Sequence, residues 1–200
     1  MKKLITFKMV VVALALNGFA LNSEACDKHH DQAAQSVSLP NDSLYNLNSK
    51  WSDQKANSES LSSLAGKPRI IAMVYTKCQS ACPLLVHDIK NMTSKISKPL
   101  AEKIQIDLFS FDSETENAKS LQAFIEKYKL DNAWSAHAGS KESVAELAAA
   151  LGVQYKKLPS GDYIHSNVVF FLNEKGEVVA KHEGLGKDVS EFIKKIEGSL

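Results

Sequence analysis

Two cysteines four positions apart, Cys78 and Cys82, are the residues of this 200-residue chain whose type and spacing most directly imply chemistry. They stand in R-I-I-A-M-V-Y-T-K-C-Q-S-A-C-P-L-L-V-H-D-I, the stretch from Arg69 to Ile89. Neighbouring thiols can grip one soft metal ion or oxidise reversibly to a disulfide, and the two uses compete for the same atoms. A bridge across so short a loop constrains little, so stapling explains the pair poorly. Chemistry explains it better.

The elements that must position these thiols are legible on either side. Ile70 to Tyr75 is an apolar run rich in β-branched and aromatic residues, long enough for a buried strand. After Cys82 comes Pro83, which suits a first helical turn, and then Leu85, Ile89, Met92 and Ile96 at helical spacing. The thiols therefore lie between a buried strand and a helix N-terminus, where unpaired N–H groups and the helix dipole favour thiolate.

A third ligand or proton carrier must come from elsewhere. Of six histidines, His29 and His30 lie near the N-terminus, His87 falls on the helix after Pro83, and His137 and His182 keep no special company. His165, in Tyr163-Ile164-His165-Ser166, leads into the apolar strand Val168 to Leu172. If that strand lies beside the central one, its leading end approaches the thiols. Spacing alone favours an ordinary loop or core histidine.

The rest of the chain reads as alternating strands and helices. Leu44 to Leu47 alternates as a short strand, with Lys50-Trp51-Ser52 as its pairing partner. Ser58 to Leu64 runs into the turn Gly66-Lys67-Pro68, which feeds the central strand. Ile104 to Phe111 is a second strand, Asn117 to Tyr128 a helix, Ala133 to Ala138 a short extended piece, and Lys141 to Leu151 a helix stopped by Gly152. Val168 to Leu172 and Val178 to Lys181 form a hairpin about Glu174-Lys175-Gly176, and Asp188 to Ile196 closes the chain as a helix. The expectation is an α/β fold, a central mixed sheet flanked by helices with an N-terminal hairpin extension.

Residues 1–25 have the form of a removable leader: basic Lys2-Lys3, apolar Met9 to Leu16, a break at Asn17-Gly18, and small residues in Ser23-Glu24-Ala25. Export is the preferred reading and a retained N-terminal anchor the second. Cys26 follows Ala25, but the leucine usual three residues before a lipidated cysteine is missing, so cleavage ranks above lipidation. Cys26-Asp27-Lys28-His29-His30 is a weak metal motif, ranked below a simple polar tail. Residues 26–43 read as a flexible linker and 44–200 as one domain. Removing the leader takes three lysines and one glutamate from 24 basic and 23 acidic residues, leaving 21 against 22, a charge of −1. Nothing in that balance points to nucleic acid or an anionic membrane surface.

The order G-K-P, apolar strand, Y-T-x-C-x-x-x-C-P, a strand ending F-D-S, and Y-I-H-S before V-V-F-F-L-N-E-K-G resembles the SCO/SenC family, from Leu44 to the C-terminus. That resemblance implies a thioredoxin-like fold, exported or anchored at a respiratory membrane, that binds one copper ion through Cys78, Cys82 and His165. It implies a metallochaperone delivering copper to the binuclear copper centre of cytochrome c oxidase, with an oxidase subunit as acceptor and a thiol reductant as second partner. Some members act as thiol reductants instead. The chain departs from the family pattern after Asp112, where Ser113-Glu114-Thr115-Glu116-Asn117 replaces a proline and an Arg-Asp-Thr-Pro-like turn. Asp112 itself is open to two readings, a role beside the site or in docking, and a cap on the following helix.

Elementary coordination chemistry agrees with copper. Cu(I) is soft and takes two thiolates with one imidazole, whereas a structural zinc site wants four ligands and no fourth is evident. The alternative is a thiol–disulfide oxidoreductase with Cys78 and Cys82 as its redox pair. Such enzymes on this fold generally place two residues between the cysteines and a cis-proline opposite them. Here three intervene, Ile164-His165 precedes the Val168 strand, and Pro159 lies too far back. A peroxiredoxin fits less well, because its threonine stands three residues before the cysteine and Thr76 stands two before Cys78. A purely structural exported domain leaves the thiols unexplained.

Overall fold

The computed structural model describes residues 39–199. The leader and most of the 26–43 linker, with Cys26, His29 and His30, lie outside the described residues. Among the described residues no helix is long and apolar enough to cross a membrane.

The central strand, β3 (Arg69–Val74), is buried along all but its first residue. A continuous apolar run suits a strand covered on both faces. It pairs in parallel with β4 (Gln105–Ser110), which pairs in parallel with β5 (Trp134–Gly139). On the other side β8 (Val168–Leu172) runs antiparallel to β3, and β9 (Val178–Glu183) antiparallel to β8. The N-terminal hairpin, β1 (Lys50–Asp53) and β2 (Ser58–Ser60), adds to the outer edge of β5. The seven strands run in the order β2-β1-β5-β4-β3-β8-β9.

Helices α1 (Ala81–Lys95), α2 (Lys98–Ala101), α3 (Ala118–Lys127), α4 (Lys141–Leu151) and α5 (Ser190–Glu197) flank this mixed sheet. α3 packs against β5 and β1, α4 against β5, and α5 against β9. Cys82, Leu85, Val86, Ile89 and Met92 form the buried stripe of α1. α3 opens on a capping box between Asn117 and Ser120. α4 stops at Gly152, whose φ of 67° is left-handed and suits glycine.

Two local expectations are corrected, and one small sheet is added. Leu44–Asn46 is a 3₁₀ turn rather than a strand, because Ser43 Oγ accepts the Tyr45 N–H and the Leu44 N–H is taken by Gly176 O. Lys50-Trp51-Ser52 pairs with Ser58–Ser60 and with β5 instead. A second, two-stranded sheet, β6 (Tyr155–Lys157) with β7 (Tyr163–His165), stands apart from the main one. Its tip is the Pro159-Ser160-Gly161-Asp162 turn, closed by Leu158 N–H to Asp162 O at 2.7 Å.

Register explains why distant residues meet. Ala72 of β3 faces Val169 of β8, so the start of β8 lies at the exit of β3. The thiol loop leaves that exit, and β7 ends three residues before Val168. One end of the sheet receives both.

Candidate metal centre

The loop after β3 turns at once. Cys78 N–H donates to Tyr75 O at 3.2 Å, closing a four-residue turn that lifts Cys78 off the sheet. α1 then begins at Ala81, so Cys82 lies inside its first turn rather than before the helix. Pro83 follows, where its missing N–H is one of the helix's unpaired donors in any case. Ser80, the residue before the helix, makes no side-chain cap. Cys78 Sγ takes that place and accepts the Cys82 N–H at 3.2 Å.

His165 arrives on β7. Its ring packs against Phe111, centroids 4.8 Å apart, and stands edge-on to Tyr75 at 6.3 Å. Phe111 also stacks on Tyr155 and packs against Tyr163, so an aromatic cluster fixes the hairpin to the end of the sheet. Imidazole Nδ1 lies 3.1 Å from Ser166 O. A carbonyl only accepts, so the neutral ring keeps its proton on Nδ1 and leaves the lone pair of Nε2 free as a donor atom.

The ligand atoms of Cys78, Cys82 and His165 all lie within 4.8 Å of one another. Among the described residues they form the one such group of metal-binding side chains. Both cysteines are free thiols and buried, and His165 is half-buried.

The electrostatics separate the three roles. Burial pushes the Cys78 thiol up, but backbone N–H groups of Cys82, Ser80 and Ala81 outweigh it and hold the thiol below its ordinary range. Burial drives the Cys82 thiol well above its ordinary range, and charge on Cys78 and Glu116 adds to that. Burial also lowers His165, which favours neutral imidazole against the opposing pull of the Ser166 carbonyl. The site is thus biased toward thiolate at Cys78, thiol at Cys82 and neutral imidazole at His165, a soft donor set of low charge.

Sequence reasoning singles out Asp112 among the residues that shape the site and misses the roles of Glu114 and Glu116. Asp112 does not cap α3, which Asn117 caps. Asp112 Oδ1 accepts N–H bonds from Glu114 and Thr115 and, at 3.3 Å, the Tyr163 hydroxyl. It therefore tightens its own loop and touches the hairpin that carries His165. Glu114 reaches the same hairpin through Lys157 Nζ at 2.6 Å. Glu116 holds Thr76, two residues before Cys78. The flanking pattern Y-K-K and Y-I-H about the Pro-Ser-Gly-Asp turn was the available signal for β6 and β7.

His137 is a correction. It lies on β5, 1% exposed, with Nε2 2.8 Å from Asp107 Oδ1 and Nδ1 2.9 Å from Glu59 Oε1. Arg69 completes the group at 2.6 Å from Asp107 Oδ2. This buried charge network joins β3, β4, β5 and β2, and His137 is not part of the Cys78, Cys82 and His165 group. His87 is exposed.

Residues 44–200 match the family model described as SCO1/SenC. The SCO1 protein homolog of Bacillus subtilis (strain 168) is 27% identical over 142 residues, covering 68% of this chain and 72% of that protein. Among solved structures, a SCO1/SenC family lipoprotein from Bacillus anthracis superposes with a TM-score of 0.68 at 21% identity, covering 77% of this chain and 94% of that one. Arabidopsis thaliana ScoI with copper bound superposes with a TM-score of 0.66 at 18% identity, covering 74% and 96%. These likenesses fix the fold as thioredoxin-like, and the family match spans both cysteines and the histidine. On that match the chain belongs to the SCO1/SenC family.

Proposed function

We propose that this chain binds one copper ion through Cys78, Cys82 and His165 and passes it to the copper centre of a respiratory oxidase. The observation that carries the reading is the convergence of two sulfurs and an imidazole within 4.8 Å at one end of the sheet. Two thiolates and a neutral imidazole suit Cu(I), and the copper-bound Arabidopsis ScoI supports the choice of metal. Binding displaces the proton held by the buried Cys82 thiol, so uptake is coupled to proton release.

Where the donors sit supports release by ligand exchange. His165 rides on a hairpin outside the main sheet, while both thiols are tied to a helix N-terminus. An acceptor that replaces the imidazole first leaves a two-sulfur site, from which the ion moves stepwise. Delivery to cytochrome c oxidase, export of the mature domain, and attachment only through the N-terminus belong to the same proposal. The leader-like residues 1–25 support export, as does the family lipoprotein from Bacillus anthracis.

A second reading has its own support. The depressed Cys78 thiol beside a protonated Cys82 is the arrangement of a nucleophilic and a resolving thiol, so the same pair can reduce an exported partner's disulfide. In that exchange the Cys78 thiolate attacks the partner disulfide, and one partner sulfur leaves as thiolate. Cys82 then displaces the other, and the chain ends as the Cys78–Cys82 disulfide.

Copper(I) titration of the reduced domain against a competing chelator, beside Cys78→Ala, Cys82→Ala and His165→Ala, tests the ligands. Each variant is expected to lose affinity, and wild-type affinity in all three overturns the assignment. Mixing the loaded domain with a metal-free oxidase copper domain then tests delivery. Copper that stays behind, with reduction of the acceptor's disulfide instead, favours the second reading.

A further inference from the structure

Glu116 stands in the loop between β4 and α3, half-buried, with all of its hydrogen bonding turned toward the thiol loop and the strand and helix beneath it. Thr76 N–H donates to Oε1 at 2.6 Å and Thr76 Oγ1 to Oε2 at 2.9 Å. Ser110 Oγ, at the end of β4, donates to Oε1 at 3.2 Å, and Ser120 Oγ, in the first turn of α3, to Oε2 at 2.7 Å. The donors are one backbone amide and three hydroxyls, and together they fill the acceptor capacity of a carboxylate.

Capping does not account for this residue. The first turn of α3 already has its box: Ser120 N–H on Asn117 Oδ1, and Asn117 N–H on Ser120 Oγ. What Glu116 adds is a two-point hold on Thr76. Thr76 is the second residue of the Tyr75–Cys78 turn, and that turn delivers Cys78 Sγ to the N–H of Cys82. Ser110 faces Val74 in register, so the hold is anchored on the strand beside the one the loop leaves.

We propose that Glu116 is the positioning residue of the centre: by clamping Thr76 to the β4–α3 loop it fixes the turn that aims Cys78 Sγ at Cys82 and His165. The same loop reaches the His165 hairpin through Asp112 and Glu114. A single segment therefore ties both ligand-bearing pieces to the sheet. For its metal readout this inference rests on the copper reading; for its metal-free readout it does not.

The test uses Glu116→Ala, Glu116→Gln and Thr76→Val in the reduced protein. Two quantities are measured: Cu(I) affinity by chelator competition, and the rate of Cys78 alkylation by iodoacetamide at fixed pH without metal. Glu116→Ala is expected to lower affinity by about 10- to 100-fold, the usual effect of removing a group that orients a metal ligand. It is also expected to speed alkylation of the buried Cys78 several-fold, by freeing the turn. Glu116→Gln keeps an oxygen for the Thr76 N–H while the hydroxyls rotate to accept its amide, so it restores both quantities to near wild type. Thr76→Val falls between. Wild-type values in Glu116→Ala, or a Gln variant as impaired as the Ala variant, overturn the proposal. Should Glu116→Ala fail to fold, wild-type values in Thr76→Val overturn it equally. If the wild type itself takes up no copper but the alkylation order holds, the copper reading fails and the clamp stands.

Discussion

The backbone N–H of Cys82 donates to Cys78 Sγ at 3.2 Å, so one ligand of the pair caps the helix turn that carries the other. A cap of this kind favours negative charge on sulfur, because the N–H groups of a helix start have no other partner. The two thiols, alike in sequence, are thereby made different in the fold.

That difference predicts an order of reaction. With a limiting amount of iodoacetamide at neutral pH, the reduced metal-free protein is expected to be labelled at Cys78 first, by about tenfold or more, because thiolate fraction controls the rate. Fragmentation mass spectrometry of the peptide carrying both cysteines reads the ratio. Equal labelling, or Cys82 first, contradicts the assignment.

Phe111 predicts a coupling between packing and affinity. It touches His165, Tyr155, Tyr163 and Tyr75, and its ring is 2% exposed. Phe111→Leu is expected to cost about 1–3 kcal/mol of stability, as core truncations of this size do. It is also expected to weaken Cu(I) binding by roughly tenfold, since the imidazole loses the surface that orients it. Denaturant unfolding and chelator competition measure the two separately. Lost stability with unchanged affinity shows that the cluster supports only the hairpin.

His137 predicts a pH dependence unrelated to metal. Burial opposes its charge, but Asp107 and Glu59 outweigh burial and raise its pKa from 6.5 to about 9. Stability from a raised histidine is fully present below the unfolded value of 6.5 and is lost as pH climbs through about 9. Asp107 behaves oppositely: burial would raise it, yet His137 and Arg69 depress it below 3.8, so its contribution holds above that value and fades as pH falls through the depressed one. His137→Asn is expected to cost about 3–5 kcal/mol near neutrality, because it strands a buried carboxylate with one partner fewer. Urea unfolding of the metal-free protein across the alkaline window checks it. The wild type should lose stability there and the variant should lose less; parallel curves refute the network's role.

Sequence alone carried the strand and helix around the thiols, the spacing of Cys78 and Cys82, and the apolar strand that follows His165. These are local properties: β-branched runs, helical periodicity and glycine or proline stops leave their mark within a few residues. Leu44–Asn46 misled because alternation over four residues cannot outweigh a serine that bonds the adjacent backbone. What only the tertiary structure decided is separation in space. The β3–β8 register brought the imidazole to the sulfurs, and the β4–α3 loop set Glu116 beneath Thr76. The same sheet turned His137 from a histidine without special company into the centre of a buried ion network. Pairings that close over 30 or more positions depend on how strands neighbour one another, and no short window of residues encodes that.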